Sequence, residues 1–192
     1  MKIGVLAVQG AFAEHIAALH RLGTEAAAVR LPGELKGVEG LIIPGGESTT
    51  ISQLMADYDL MKEIAKMAGG GLPVLGTCAG MILMARRISG NTTKSLGLLD
   101  ITVTRNAFGR QVNSFETELK IPVLGKKAFP GVFIRAPKIE SCADNVEVLA
   151  RLADGTIVAA RQGKLLASAF HPELTEDLRF HRYFLDIITG DR

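Results

Sequence analysis

The chain has 192 residues, enough for one domain (1–192) that buries roughly 70% of its unfolded surface. Hydrophobic residues make up 47% and charged residues 22%, a balance that excludes a disordered chain. The net charge is only +2 and no basic run exceeds Arg86-Arg87 or Lys126-Lys127, so no clustered face for nucleic acid is present.

No apolar run reaches the roughly 20 residues of a membrane span. The first eight residues run straight into Gln9-Gly10 without a cleavage-type region, which reads as a first core strand of a cytosolic chain. Two cysteines, Cys78 and Cys142, make no disulfide framework in that compartment.

Strand and helix alternate through the first half. Residues 2–8 form a continuous apolar run, as a buried parallel strand requires. Phe12, Ile16 and Leu19 recur at helical spacing before Gly23. Residues 26–31 and 41–43 are further short strands, the latter ending at Pro44-Gly45-Gly46. Ser48 or Thr49 is placed to cap one long helix with its apolar stripe at Ile51, Leu54, Met55, Met61, Ile64 and Ala65. Residues 72–75 are a fourth strand, followed by Gly76-Thr77-Cys78-Ala79-Gly80 and a helix through Ile82, Leu83 and Met84.

The period then changes. Residues 98–105, 113–121 and 131–135 read as strands without intervening helices, and 145–152 with 156–161 as a hairpin about Ala153-Asp154-Gly155. Residues 165–170 return to the central sheet, and 175–188 form a closing helix. The sum is an α/β domain: a mainly parallel sheet with an antiparallel insertion in its second half.

Gly76-Thr77-Cys78-Ala79-Gly80 is the cysteine counterpart of the G-x-S-x-G nucleophile elbow, at a strand-to-helix junction. The helix start beside Cys78 offers free N–H groups that favour a thiolate and can stabilise an oxyanion. Cys142 lies in the acidic stretch Glu140-Ser141-Cys142-Ala143-Asp144, read as a loop that raises a thiol pKa, and is a bystander.

A cysteine nucleophile needs a base held by a third group. Of four histidines, His15 and His20 read as surface residues of the first helix and His181 as structural. His171 ends a strand at the sheet edge where ligands gather in α/β folds. Glu173 follows at i+2, on the same side of an extended segment, with Pro172 keeping His171 extended. Taken alone, His171-Pro172-Glu173 equally begins a helix, and Pro44-Gly45-Gly46-Glu47-Ser48 equally makes a plain turn with a cap.

Together these residues resemble the class I (triad) glutamine amidotransferases, which pair a G-x-C-x-G elbow with a later His-Pro-Glu. Within that family the chain is most similar to glutaminase subunits of pyridoxal phosphate synthase. The markers run nearly end to end: Ile3–Gly10, Pro44–Thr50, Gly76–Met81, Arg105–Gln111, Phe133–Pro137 and His171–Leu174. The resemblance implies a flavodoxin-like three-layer open sheet. It implies Cys78 as nucleophile, His171 as acid–base and Glu173 as its orienter, with Gly46 and Ala79 offering oxyanion-hole N–H groups. Gly46, Glu47, Ser48, Arg105, Ile134 and Arg135 would line a glutamine site.

The implied partner is a (β/α)₈-barrel synthase subunit in a large hetero-oligomer that consumes the ammonia. No metal or organic cofactor is needed, since pyridoxal phosphate would be the partner's product. An amidotransferase feeding another synthase, a cysteine hydrolase on the same fold and a non-catalytic module stand as alternatives.

Overall fold

In the computed structural model, which describes residues 1–90, 93–105 and 114–191, the first half alternates as its periodicity dictates. Strand β1 (Lys2–Leu6) leads to helix α1 (Phe12–Arg21), β2 (Glu25–Val29) and β3 (Gly40–Ile43). Helices α2 (Ser48–Asp57) and α3 (Leu60–Gly69) precede β4 (Val74–Thr77) and the short α4 (Ala79–Met84). The second half is strand-rich: β5 (Ala85–Ser89), β6 (Leu99–Thr104), β7 (Ser114–Leu119), β8 (Phe129–Ile134) and β9 (Lys138–Cys142). Then come β10 (Glu147–Arg151), β11 (Ile157–Gln162), β12 (Leu165–Ser168) and α5 (Arg179–Thr189).

The central sheet runs β2-β1-β3-β4-β12-β11-β9-β6-β5, with β10 added against β11. From β2 to β12 every pairing is parallel. The fully buried β3 and β4 are uninterrupted apolar or small-residue runs, because both faces of a parallel sheet are covered. Beyond β12 the pairings turn antiparallel, apart from β5 with β6. Strands β4 and β12 are neighbours, so β5, β6, β9, β10 and β11, which lie between them in sequence, are inserted and extend the same sheet. Among the described strands, only the antiparallel hairpin β7–β8 stands apart. One hydrophobic cluster runs from Ile3 to Ile187. Among the described residues, no helix is long and apolar enough to cross a membrane.

Several sequence expectations are corrected. The long helix after β3 is two helices, broken at Asp59, whose φ of 58° is left-handed. Aspartate tolerates that conformation and Asp57-Tyr58-Asp59 has low helix propensity, while Leu60 and Ile64 keep the apolar stripe buried. The cap of α2 is Glu47, not Ser48 or Thr49, since its carboxylate accepts from the N–H groups of Thr49 and Thr50. Cys142 ends strand β9 instead of sitting in a loop. A single 3₁₀ turn (Pro172–Leu174) stands before α5, which begins at Arg179. Strands β5 and β9 had no clear sequence signal. His15 is fully buried, not on the surface, whereas His20 is exposed.

Four phenylalanines tie the hairpin to the sheet edge. The ring of Phe170 lies 5.7 Å from Phe129, 5.8 Å from Phe133 and 5.2 Å from Phe180, centroid to centroid. Offset and edge contacts of this kind add to the burial of each ring. Arg179 closes the other side, donating to the carbonyls of Leu124, Lys127 and Ala128 while paired with Asp177 at 2.6 Å.

The elbow after β4 depends on close backbone approach. A Cβ on Gly80 would overlap the carbonyl oxygen of Ile43, and one on Gly76 would meet the Gly80 carbonyl at 2.7 Å. Backbone cannot rotate away as a side chain can. Gly80→Ala is therefore expected to cost about 1–3 kcal/mol, the range for overpacking a tight site. The fall in the urea unfolding midpoint measures it, and an unchanged midpoint would show that the elbow relaxes freely.

Candidate active site

Cys78 sits at the junction of β4 and α4 with φ 49° and ψ −104°, a strained conformation for a residue with a Cβ. Two features hold it there. Its N–H donates to the Ser168 carbonyl at 2.8 Å, tying the elbow to β12, and the flanking glycines admit the turn. Its Sγ lies 3.8 Å from the carbonyl oxygen of Ile134.

His171 follows β12 in the next strand over. Its N–H donates to the Val132 carbonyl at 2.8 Å, and the phenylalanine cluster fixes Phe170 beside it. The i+2 spacing acts as the sequence suggests: His171 Nδ1 and Glu173 Oε1 are 2.7 Å apart, and the Glu173 side chain is wholly buried. His171 and Cys78 share one cavity wall, close enough for the sulfur to favour the charged ring. Burial alone would lower the His171 pKa, but the hydrogen bonds to Cys78 and Glu173 and their charges outweigh it and push it up to about 10. Burial likewise would raise the Glu173 pKa, yet His15 and His171 hold it below the ordinary value.

These groups open onto a cavity of about 520 Å³ lined by Gly46, Glu47, Ser48, Cys78, Ala79, Ile82, Arg105, Ile134, Arg135 and His171. Every site residue expected from sequence is on that wall except Glu173, which stands behind His171; Ile82 was not anticipated. The hairpin β7–β8 delivers Ile134 and Arg135, the latter at a left-handed φ of 45°. Residues 106–111 of the Arg105–Gln111 marker lie outside the described residues.

The loop after β3 is tied to the loop after β1. The Ala11 N–H donates to the Gly45 carbonyl at 3.0 Å, and the Glu47 N–H to Gln9 Oε1 at 2.9 Å. A Cβ on Gly45 would overlap the His171 ring, so only glycine lets this loop reach the histidine. The charges on the wall are of both signs. Arg105 pairs with Glu47 at 3.0 Å and donates to Thr49 Oγ1 at 3.0 Å. Desolvation would raise the Glu47 pKa, but hydrogen bonds from Thr50 and Thr49 and the Arg105 charge bring it down to about 2. Arg135 has no ion-pair partner among the described residues, and Ser48 Oγ is buried with no hydrogen-bond partner among them.

Behind Glu173 lies a group the sequence reading missed. His15 contacts Glu173, Thr77 and His181, and both histidines are fully buried. A signal existed: His15 falls at i+3 from Phe12 and i−4 from Leu19, on the buried face of α1. Cys142 lies far from this cluster in sequence and is a free thiol whose pKa is raised by burial, against the pull of Arg151, and not by acidic neighbours. Among the described residues, no three His, Cys, Asp or Glu side chains gather as metal ligands.

The profile of the SNO glutamine amidotransferase family matches residues 5–189. The "Pyridoxal 5'-phosphate synthase subunit PdxT" of Pelotomaculum thermopropionicum is 59% identical over 97% of this chain and 94% of its own length. That of Thermotoga maritima is 53% identical over 98% of this chain and all of its own. A solved structure described as a glutamine amidotransferase superposes with a TM-score of 0.92 at 53% identity, over 97% of this chain and 98% of that one. The structure of PurLQS from Thermotoga maritima contains the same fold, with a TM-score of 0.69 at 19% identity over 96% of this chain and 97% of the matched one.

The raised pKa of His171 depends on Cys78. In Cys78→Ala the sulfur's hydrogen bond and charge are gone, so the titration midpoint of the His171 ring is expected to fall well below the wild-type value of about 10. The sign for stability follows. A histidine raised on folding contributes stability that is fully present below its ordinary value of 6.5 and lost as pH rises through about 10. That loss should shrink in the variant. NMR titration of the ring checks the first point, and unfolding midpoints across this pH window check the second.

Proposed function

The chain belongs to the SNO glutamine amidotransferase family, and on that premise we propose that it is the glutaminase subunit of a pyridoxal 5'-phosphate synthase. It hydrolyses L-glutamine to glutamate and ammonia through a Cys78 thioester. The observation that supports this most is the line Cys78–His171–Glu173 at the wall of a cavity bearing both signs of charge. The names of the relatives, which are synthase subunits, supply the assembly.

Cys78 is the nucleophile. Its thiolate adds to the side-chain amide carbon of glutamine, and the C=O becomes an oxyanion. The N–H groups of Ala79 and Gly46 receive that charge. Ala79 opens α4, where the first N–H groups have no intrahelical partner. The Gly45 carbonyl faces Ala11 N–H, and a trans peptide turns the Gly46 N–H to the opposite edge. Donors of this kind contribute about 3 kcal/mol each when removed singly in other enzymes.

His171, as imidazolium, gives its proton to the departing nitrogen, which leaves as ammonia. Acylation removes the sulfur charge that had raised the His171 pKa, so the neutral ring then takes a proton from water. The hydroxide attacks the thioester, and glutamate leaves with the thiolate restored. Glu173 orients the ring throughout.

Glutamine carries an α-carboxylate and an α-ammonium group. The guanidinium groups of Arg135 and Arg105 suit the first and Glu47 the second, with Ser48 Oγ offering a hydrogen bond and Ile134 an apolar edge. The ammonia goes to a (β/α)₈-barrel synthase subunit in a hetero-oligomer, and residues 1–192 act as one cytoplasmic glutaminase domain.

Cys78→Ala is expected to abolish ammonia release with the fold intact. His171→Asn should lower kcat by about a thousandfold or more, since acid and base are both lost, and Glu173→Ala by less. Ammonia release from glutamine, measured with and without the barrel synthase, checks all three. Substantial turnover by Cys78→Ala, or no turnover by the wild type even with the synthase, overturns the assignment.

A further inference from the structure

We propose that His15 is a positioning residue of this site: its Nε2–H holds the second oxygen of Glu173, and His181 fixes the ring tautomer that makes this possible. The inference rests on the reading of Cys78, His171 and Glu173 as the reacting group.

A wholly buried carboxylate needs donors on both oxygens. Glu173 Oε1 has His171 Nδ1 at 2.7 Å. Glu173 Oε2 has no hydrogen-bond partner among the described residues, and His15 Nε2 lies 3.3 Å from it. The same Nε2 lies 3.1 Å from Thr77 Oγ1. Helix α1 therefore touches the residue before the nucleophile and the residue behind the base at one atom.

The proton positions follow from counting. His15 Nδ1 and His181 Nε2 are 2.9 Å apart, so one of them bears the hydrogen between them. His181 Nδ1 is buried without a hydrogen-bond partner among the described residues. A hydrogen there would be an orphaned buried donor, so the hydrogen of neutral His181 belongs on Nε2, donated to His15. His15 Nδ1 then accepts, and the single hydrogen of a neutral His15 lies on Nε2, facing Glu173.

Both rings are held neutral. Burial lowers the His15 pKa, aided by His171 and opposed by Glu173 and Glu14. Burial and His15 bring His181 down to about 3, against the pull of Glu173. Polarised this way, the chain His181→His15→Glu173←His171 satisfies both carboxylate oxygens and keeps Oε1 aimed at His171.

Without His15 the second oxygen loses its donor, the buried carboxylate takes a proton more readily, and His171 loses the charge that sustains its ion pair with Cys78. That pair then forms only at higher pH. The test is the rate of Cys78 alkylation by iodoacetamide against pH, read on the Cys78 peptide by mass spectrometry. In His15→Leu the acid limb should move up by about one pH unit or more, and kcat should fall roughly tenfold or more with KM little changed. His15→Gln, whose amide N–H reaches the same oxygen, should restore both. A folded His15→Leu whose alkylation profile superposes on the wild type overturns the proposal, because a merely structural role lowers the melting temperature without moving that limb.

Should His15→Leu not fold, the wild-type ring nitrogens decide by ¹⁵N NMR: neutral His15 protonated on Nε2 supports the assignment, and protonation on Nδ1 overturns it. Neither the alkylation nor the tautomer requires glutamine or a partner, so their failure is distinct from failure of the glutaminase reading.

Discussion

The parallel pairing of β4 with β12 is the constraint on which the rest of the structure depends. Thr77 is in register with Ser168, and the Cys78 N–H bonds to the Ser168 carbonyl. Cys78 and His171 thus emerge at neighbouring strand ends although 92 residues separate them in sequence. Closing so long a loop has a modest entropic cost, since that cost grows only logarithmically with length. The intervening chain need only leave and return. It leaves through α4 and returns along β11, and the hairpin β7–β8 hangs from it over the site.

That hairpin explains why the insertion matters to chemistry. Its β8 strand accepts the His171 N–H at Val132, presents Ile134 and Arg135 to the cavity, and is clamped by the phenylalanines and Arg179. The histidine is therefore held from three directions: the sheet through Phe170, the hairpin through Val132, and the interior through Glu173. Each is a packed or hydrogen-bonded contact with little freedom to drift, as the proposed proton-transfer role requires.

The legible parts of the sequence were those where local chemistry has one solution. Continuous apolar runs bounded by glycine gave the parallel strands, and the elbow glycines gave the strand-to-helix turn that carries Cys78 because no side chain fits there. His171-Pro172-Glu173 was legible only beside the elbow, since the same tripeptide opens a 3₁₀ turn here as well. What was missed is tertiary. The split of α2 from α3 turns on one left-handed aspartate inside a continuous stripe. Strand β5 carries exposed arginines and β9 alternates weakly, so neither announces itself. His15 was assigned to the surface because histidine in an amphipathic helix usually lies there, yet its spacing placed it on the buried face. Glu47 displaced Ser48 as the cap because a carboxylate can accept two N–H groups at once.

In the proposed reaction the buried ionic site must also change character as turnover proceeds, and its electrostatics arrange that. Before attack, the sulfur and Glu173 together make the imidazolium the stable form of His171, despite burial. Once the sulfur is bonded to an acyl group its charge is gone, and Glu173 alone opposes desolvation. On the proposed mechanism the proton then leaves with the ammonia, and the ring that remains can act as a base. Had Glu173 been the dominant influence, His171 would stay protonated in the acyl-enzyme and could not activate water. The contacts on Glu173, with His171 at one oxygen and His15 near the other, keep it ionised and aimed at the ring. On that reading one histidine serves as acid and then as base because its strongest partner is the atom that acylation caps.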